Sequence, residues 1–527
     1  MLGRCLKAVA TSLYGDIPPD VAERAGIFSA LLCFVVGIYW LMRSLKDSVF
    51  ATIVGLEYQP QAKILSLLVV TVVLFLYNKV VDLAPRHHLF SIVCGAYSLI
   101  FVSTALCLMS PTIGLNGPDG TPLPASPDRL LGWIHYFAIE SYGSLAVSLF
   151  WQYTNSQVNL KDAKAQYGII TAGGQVGAIT GCSLVVGSKR FGVPQLYALG
   201  GVLTLVAPCI VLYYHTRYVA DGAAGASRSQ KLLAAAEEGE GEASAGSQGS
   251  QGSKSAGPPA VGAPSQAAGG KGTHQKPVTP GLFEGLRLLF RHPYVMGIFA
   301  VSALFEIIAT ILDYQMKVLG KAAHHSTADF AAFMGFFGQA ANSVSLVFSL
   351  LGTSFVIRTF GVRITLMLFP AMLIVAVRVV YSAPSMWVLF GVMVSIKGLA
   401  YALNNPSKEM LYMATTDSIK FKAKSWIDVF GGRASKAVGS VVTNTFKKPV
   451  ENLMFYGSLV SFCIASALLL IAALLGSTFE KLSATGRTIG SEEPETEESE
   501  MQSLTDDDAS GDAEERHVKE PLQQLVR

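Results

Sequence analysis

Charged side chains are scarce in this chain, making up 15% of 527 residues against 51% hydrophobic ones, and the mean hydropathy is +0.43. Soluble domains carry about a quarter of their residues as charge. The shortage excludes an ordinary aqueous surface over much of the molecule. Cysteine is also sparse, with seven residues. Five of them, Cys33, Cys94, Cys107, Cys182 and Cys209, stand singly in apolar runs, without the spacing of a disulfide framework or a zinc site. The formal net charge is only +3, and the basic residues are spread among loops, which argues against nucleic-acid binding. The N-terminus lacks a short apolar run with a small-residue cleavage site, so no cleavable signal peptide is expected.

Catalytic motifs are missing as well. No G-x-x-x-x-G-K-[ST] loop occurs, which sets aside an ATPase-driven mechanism. Gly173, Gly177 and Gly181 follow no strand, and their small-xxx-small spacing points to close helix packing. The pairs His87-His88 and His324-His325 have no matching Cys or carboxylate partners, so no metal and no cofactor are expected. No Ser-His-Asp or Cys-His constellation stands out, and an enzyme is the least favoured class.

What the chain does have is long apolar runs. A bilayer core of about 30 Å needs about 20 such residues in a helix. Runs start near Ala25, Ile64, Leu89, Leu131, Tyr167 and Val193, then again near Tyr294, Phe330, Ile364, Met386, Trp426 and Leu453. The fold class is therefore all-α and polytopic, with about twelve spans in two halves, 1–219 and 281–479. Between them, 220–280 is rich in Ala, Gly, Ser, Gln and Pro and reads as a flexible linker. Residues 480–527 read as an acidic, disordered tail. Six helices, a linker and six helices is the layout of the major facilitator architecture, with a substrate site at the midplane between halves. An internal echo fits a duplication: Leu160-Lys-Asp-Ala-Lys164 and Thr171-Ala-Gly-Gly-Gln resemble Lys420-Phe-Lys-Ala-Lys424 and Phe430-Gly-Gly-Arg-Ala. The loop charges lean towards both termini and the linker being cytoplasmic, and the compartment stays open between an organelle envelope and the plasma membrane.

A charge at a helix centre costs about 2.5–3.5 kcal/mol on insertion scales, so one charge cancels about six leucines. Those kept inside the runs are Lys46 in the first span, Glu140 in the fourth, Glu306 in the seventh, Lys397 and Lys408 in the tenth, and Asp428, Arg433 and Lys436 in the eleventh. With α-helical periodicity, Lys397, Tyr401, Asn404 or Asn405, and Lys408 stack on one face of the tenth span. Lysines and Arg433 converging on a low-dielectric site would hold a polyanion such as a di- or triphosphate, with Glu140 and Glu306 tuning the charge. The competing reading is interfacial charges that snorkel, or ion pairs with no ligand.

Several stretches resemble the ATP/ADP translocase family of plastids and obligate intracellular bacteria. They are Leu45-Lys46-Asp47-Ser48, Glu140-Ser-Tyr-Gly143-Ser144 with Phe150-Trp151, and above all Asn405-Pro406-Ser-Lys408-Glu409-Met410-Leu-Tyr412. Lys422-Ala-Lys424, Ile427-Asp428-Val429 and Gly432-Arg433 through Lys436 belong to the same resemblance. It spans both halves and implies nucleotide exchange across a bilayer, commonly ATP against ADP, with Lys46, Glu140, Glu306 and Lys408 at the family's functional charges. The chain departs from the family's pattern at Asn404-Asn405-Pro406, where a carboxylate is usual, at Met413-Ala414-Thr415, and after Glu306, where Ala309-Thr310 precede a later Lys317. The expected function is nucleotide antiport. The alternatives are transport of another phosphorylated or carboxylated anion, or a transport-inactive membrane scaffold, which would gain nothing from costly buried charges.

Overall fold

The computed structural model describes residues 18–83, 86–158, 160–220, 282–351, 353–416, 419 and 423–490. Nearly all of the expected linker, the tail beyond 490, and Lys420 and Lys422 of the internal echo lie outside the described residues.

Among the described residues, where eight stretches are long and apolar enough to cross a membrane, twelve main helices follow one another. They are α1 (Pro19–Phe50), α2 (Gln59–Leu83), α3 (Arg86–Met109), α4 (Leu130–Gln157), α5 (Leu160–Val186) and α6 (Val193–Thr204, continued by Val206–Tyr214). After the linker come α7 (Pro293–Ala323), α8 (Thr327–Leu351), α9 (Thr353–Ser382), α10 (Met386–Leu399), α11 (Gly432–Phe446) and α12 (Val450–Thr485). Apart from two isolated bridges, Asn116 with Pro122 and Thr415 with Ile489, no β pairing occurs among the described residues. Helices alone satisfy their own backbone hydrogen bonds inside hydrocarbon, so a chain this poor in charge has few other solutions. Large apolar side chains such as Leu68, Phe75, Leu99, Leu106, Leu470 and Leu474 stand exposed on α2, α3 and α12. Such a belt is unfavourable in water and natural against lipid.

Buried apolar side chains gather in two clusters. One is drawn almost wholly from α1 to α6 and the other almost wholly from α7 to α12. Inside the first, α1 and α5 touch backbone to backbone. A Cβ on Gly177 would meet the Cys33 carbonyl oxygen at 2.1 Å, and one on Gly181 would meet that of Gly37 at 2.0 Å. The glycine spacing is therefore a packing device, as the sequence indicates. Between the clusters α5 packs on α8, α2 on α11 and α1 on α8.

Two departures from plain α-helix bear on the site. Downstream of α10 the chain makes a π-helical turn, Ala400–Asn404, before a short helix Asn405–Leu411. Ahead of α11 lies another, Ile427–Gly431. Pro406 brings no N–H and cannot continue an α-helical ladder, and a widened turn relieves the strain. The regular stacking expected for Lys397, Tyr401, Asn404 or Asn405, and Lys408 is thereby broken, because a π turn advances the register by an extra residue.

Candidate functional site

The intramembrane charges lie on the faces that the two halves turn towards each other, and they fall into two levels. The helix directions define these levels: the α1–α2, α5–α6, α7–α8 and α11–α12 connections lie together on the side away from the linker, here called the far side.

The level nearer the far side is a chain of ion pairs that crosses between halves. Lys63 of α2 is 3.2 Å from Asp313 of α7. Asp313 also accepts Lys317, one turn on in α7, at 2.7 Å. Lys317 bridges back to Asp47 of α1 at 2.8 Å. Gln59 at the start of α2 donates to the other oxygen of Asp47, and Lys46 stands 4.0 Å from that oxygen. Lys46 itself is ion-paired with Glu140 of α4 and lies 4.2 Å above the ring of Tyr136. Three cations thus meet three carboxylates, and the side chains of Asp47 and Lys317 are each only 4% exposed. Balance of this kind is what makes buried charge tolerable, since an unpaired partner would bear its whole desolvation cost.

Above this chain the far side is closed by polar contacts between halves. Thr52 shares a hydrogen bond of 2.8 Å with Thr327, Ser188 donates to the Ala328 carbonyl at 2.8 Å, and Lys189 pairs with Asp329 and Lys448 with Glu57.

The second level lies about one helical turn nearer the linker. Arg43 of α1 donates to its neighbour Tyr39 at 2.6 Å and sits 5.3 Å from the centre of the Trp40 ring. Tyr39 can lie there because residue 143 is glycine: a Cβ at that position would meet the ring at 2.2 Å. One turn along α4, Ser144 accepts a hydrogen bond from Arg433 of α11, across the halves. Lys436 of α11 stands 3.8 Å from Glu306 of α7. Lys397 of α10 is close enough to feel the charges of Arg43, Asp313, Glu306 and Lys436. Here the side chains are more exposed: Lys436 is 49% exposed and Glu306 32%, and Glu140, at the edge of the ionic chain, is 26% exposed. Charges at mid-span left so exposed suit a polar cavity between the halves rather than hydrocarbon.

The structure thus brings together Lys46, Glu140, Glu306, Lys397, Arg433 and Lys436. Asn404 is buried and Asn405 half-buried, both at the π turn beyond Lys397. Lys408, half-buried in the short helix that follows, lies eleven residues further along, about 16 Å at the α-helical rise. The side chains of Tyr401 and Asp428 are outside the described residues. Arg43, Lys63 and Asp313 are additions to the sequence reading, and Asp47 and Lys317 gain partners there. An Asp and a Lys four residues apart inside an apolar run, as at Asp313 and Lys317, would have been a usable signal.

Among the described residues no group of three or more His, Cys, Asp or Glu side chains could hold a metal ion. Six cysteines are free thiols.

The sequence matches the family described as TLC ATP/ADP transporter over residues 266–386. ADP,ATP carrier protein 1 of Rickettsia bellii (strain RML369-C) is 21% identical over 459 residues, 79% of this chain and 84% of the carrier. ADP,ATP carrier protein 1 of Chlamydia muridarum (strain MoPn / Nigg) is 23% identical over 455 residues, 77% of this chain and 78% of the carrier. Among solved structures, a D-xylose-proton symporter superposes with a TM-score of 0.56 at 13% identity, covering 89% of this chain and 100% of that one. A bacterial homologue of the iron transporter ferroportin, in an inward-facing state, gives 0.54 at 12%, covering 88% and 100%. At such identities these structures speak for the fold alone, that of an all-α polytopic membrane protein. The family match and the two bacterial carriers, which align over more than three quarters of the chain at 21–23% identity, make ATP/ADP transporters what this chain is similar to.

Proposed function

We propose that the protein exchanges ATP against ADP across a membrane by alternating access, with the two halves rocking about the mid-level cations. The single observation that supports this most is the buried ionic chain running from Lys63 to Glu140, which ties the halves on one side of a wet, cation-rich level. A polyanion entering from the linker side would meet Lys46, Lys397, Arg433 and Lys436, and its phosphates would compete with Glu140 and Glu306 for their lysine partners. Once those carboxylates are displaced, the chain through Asp47 and Lys317 loses an end, and the far side is free to part. The empty carrier is held closed by its own ion pairs, which favours obligatory exchange over a leak. Asn404, Asn405 and Lys408 line the linker end of the path, and Tyr401 and Asp428 flank it in the sequence.

Full-length protein in proteoliposomes preloaded with ADP should take up labelled ATP, and liposomes without internal nucleotide should not. Uptake that ignores internal nucleotide would remove the antiport reading. Absence of any nucleotide uptake by folded protein would turn attention to another phosphorylated or carboxylated anion.

A further inference from the structure

The mid-level cations are not equivalent. Lys46 is engaged by Glu140 and Lys436 by Glu306. Three others have no carboxylate within ion-pair distance among the described residues: Arg43, Lys397 and Arg433. Arg433 is held by the Ser144 hydroxyl. Arg43 has one guanidinium nitrogen on the Tyr39 hydroxyl and its plane near Trp40, which leaves the rest of its donor fork without a described acceptor. Lys397 has no hydrogen bond among the described residues, though it lies half-buried in the field of Arg43.

We infer that Arg43 of one half and Lys397 of the other are the principal ligands of the substrate's phosphates, and that the site is charged for a nucleoside diphosphate. This rests on the nucleotide-exchange reading above. Like charges at the middle of a bilayer repel each other and are expensive to bury, and the carboxylates in range of these two, Glu140, Glu306 and Asp313, are each already paired with another lysine, so an anion between them would be stabilising. Arg43 sits on the same face of α1 as Lys46 and Asp47, three and four residues away, and its fork suits two oxygens of one phosphate. Tyr39, seated against Gly143, orients it. Lys397 supplies a point charge from the opposite side, so that a bound phosphate would tie α1 to α10. Among the described residues the cations of the two levels outnumber the carboxylates by three, against about three negative charges on a nucleoside diphosphate, about two of them on the terminal phosphate. A monophosphate leaves a cation unmatched.

The test uses full-length protein. The half-saturating concentrations of ADP and AMP are measured in proteoliposomes for wild type, Arg43→Gln, Arg43→Lys and Lys397→Gln, with Lys189→Gln as a far-side control. In parallel, inorganic pyrophosphate is titrated against thermal unfolding of each protein in detergent. Arg43→Gln and Lys397→Gln should raise the half-saturating ADP concentration at least tenfold and that for AMP less than threefold. Arg43→Lys should fall between, because it keeps the charge and loses the fork. Pyrophosphate should stabilise wild type and the control but not the two glutamine variants. Equal losses for ADP and AMP, or unchanged values, overturn the inference. If Arg43→Gln does not fold, Arg43→Lys and Lys397→Gln decide it. Should wild type exchange no nucleotide yet be stabilised by pyrophosphate only when Arg43 and Lys397 are present, the exchange reading falls and the phosphate ligands stand.

Discussion

Lys317 of α7 reaches across the interface between the two halves to Asp47 of α1, at 2.8 Å, and each side chain is 4% exposed. The same ammonium group holds Asp313 of its own helix at 2.7 Å. With Lys63 and Asp313 this makes two crossings in the ionic chain, and whatever separates the halves must break both or give their lysines new partners.

Asp47→Asn should destabilise the far-side-closed state. Removing one member of a buried pair costs about 3–5 kcal/mol, and here the loss falls on the closed arrangement alone. A cysteine placed at Thr327, beside Thr52 on the far side, should react faster with a membrane-impermeant thiol reagent in the Asp47→Asn background. Equal reaction rates would show that the chain does not hold that side shut.

The outer pairs should matter far less. Lys189 is 68% exposed beside Asp329 and Lys448 is 70% exposed beside Glu57. Exposed pairs contribute about 0–1 kcal/mol and are screened by salt. Lys189→Gln and Lys448→Gln should each leave exchange within about fourfold of wild type. A loss as large as that of Asp47→Asn in the same assay would place the gate at the rim instead.

Glu140→Gln and Lys46→Gln should separate binding from turnover. Freeing Lys46 from Glu140 gives the phosphates an uncontested cation, so Glu140→Gln should lower both KM and the maximal exchange rate. Lys46→Gln should weaken nucleotide binding by roughly 10- to 100-fold, the range for one hydrogen bond to a charged group. Steady-state exchange at varied ADP checks both, and a rise in KM for Glu140→Gln contradicts the competition.

Gly177→Val should be among the most damaging changes outside the charged level. A Cβ there meets the Cys33 carbonyl oxygen at 2.1 Å, and backbone cannot move aside as a side chain can. Overpacking costs about 1–3 kcal/mol, to be read as a lowered Tm in detergent. Gly95→Ala is the control, since nothing lies within 4 Å of its added Cβ.

Much of this was legible in the residues. Apolar runs fix spans, and a lysine or glutamate inside a run is costly enough to mark itself, which is why Lys46, Glu140, Glu306 and Lys436 can be named from sequence. The pairings cannot. Lys63 and Asp313 are 250 positions apart, and their meeting depends on how α2 and α7 are rotated about their axes, which the periodicity of either helix leaves open. Arg43 escaped notice because it stands one turn from Lys46, where a basic residue reads as part of a helix end. The π turn at Ala400–Asn404 was invisible because periodicity arguments assume 3.6 residues per turn, and it displaced Lys408 from the stripe it was expected to share with Lys397.

Because α1 and α5 meet backbone to backbone at Gly37, Gly177 and Gly181, neither can slide on the other there by switching rotamers. The two helices behave as one rigid lever. Its inner arm carries Arg43, Lys46 and Asp47. Just past the same end of the pair, at the far side, comes Ser188, seated on the backbone of α8. A shift of the segment that carries Lys46 would therefore move the Ser188 contact with α8 along with it.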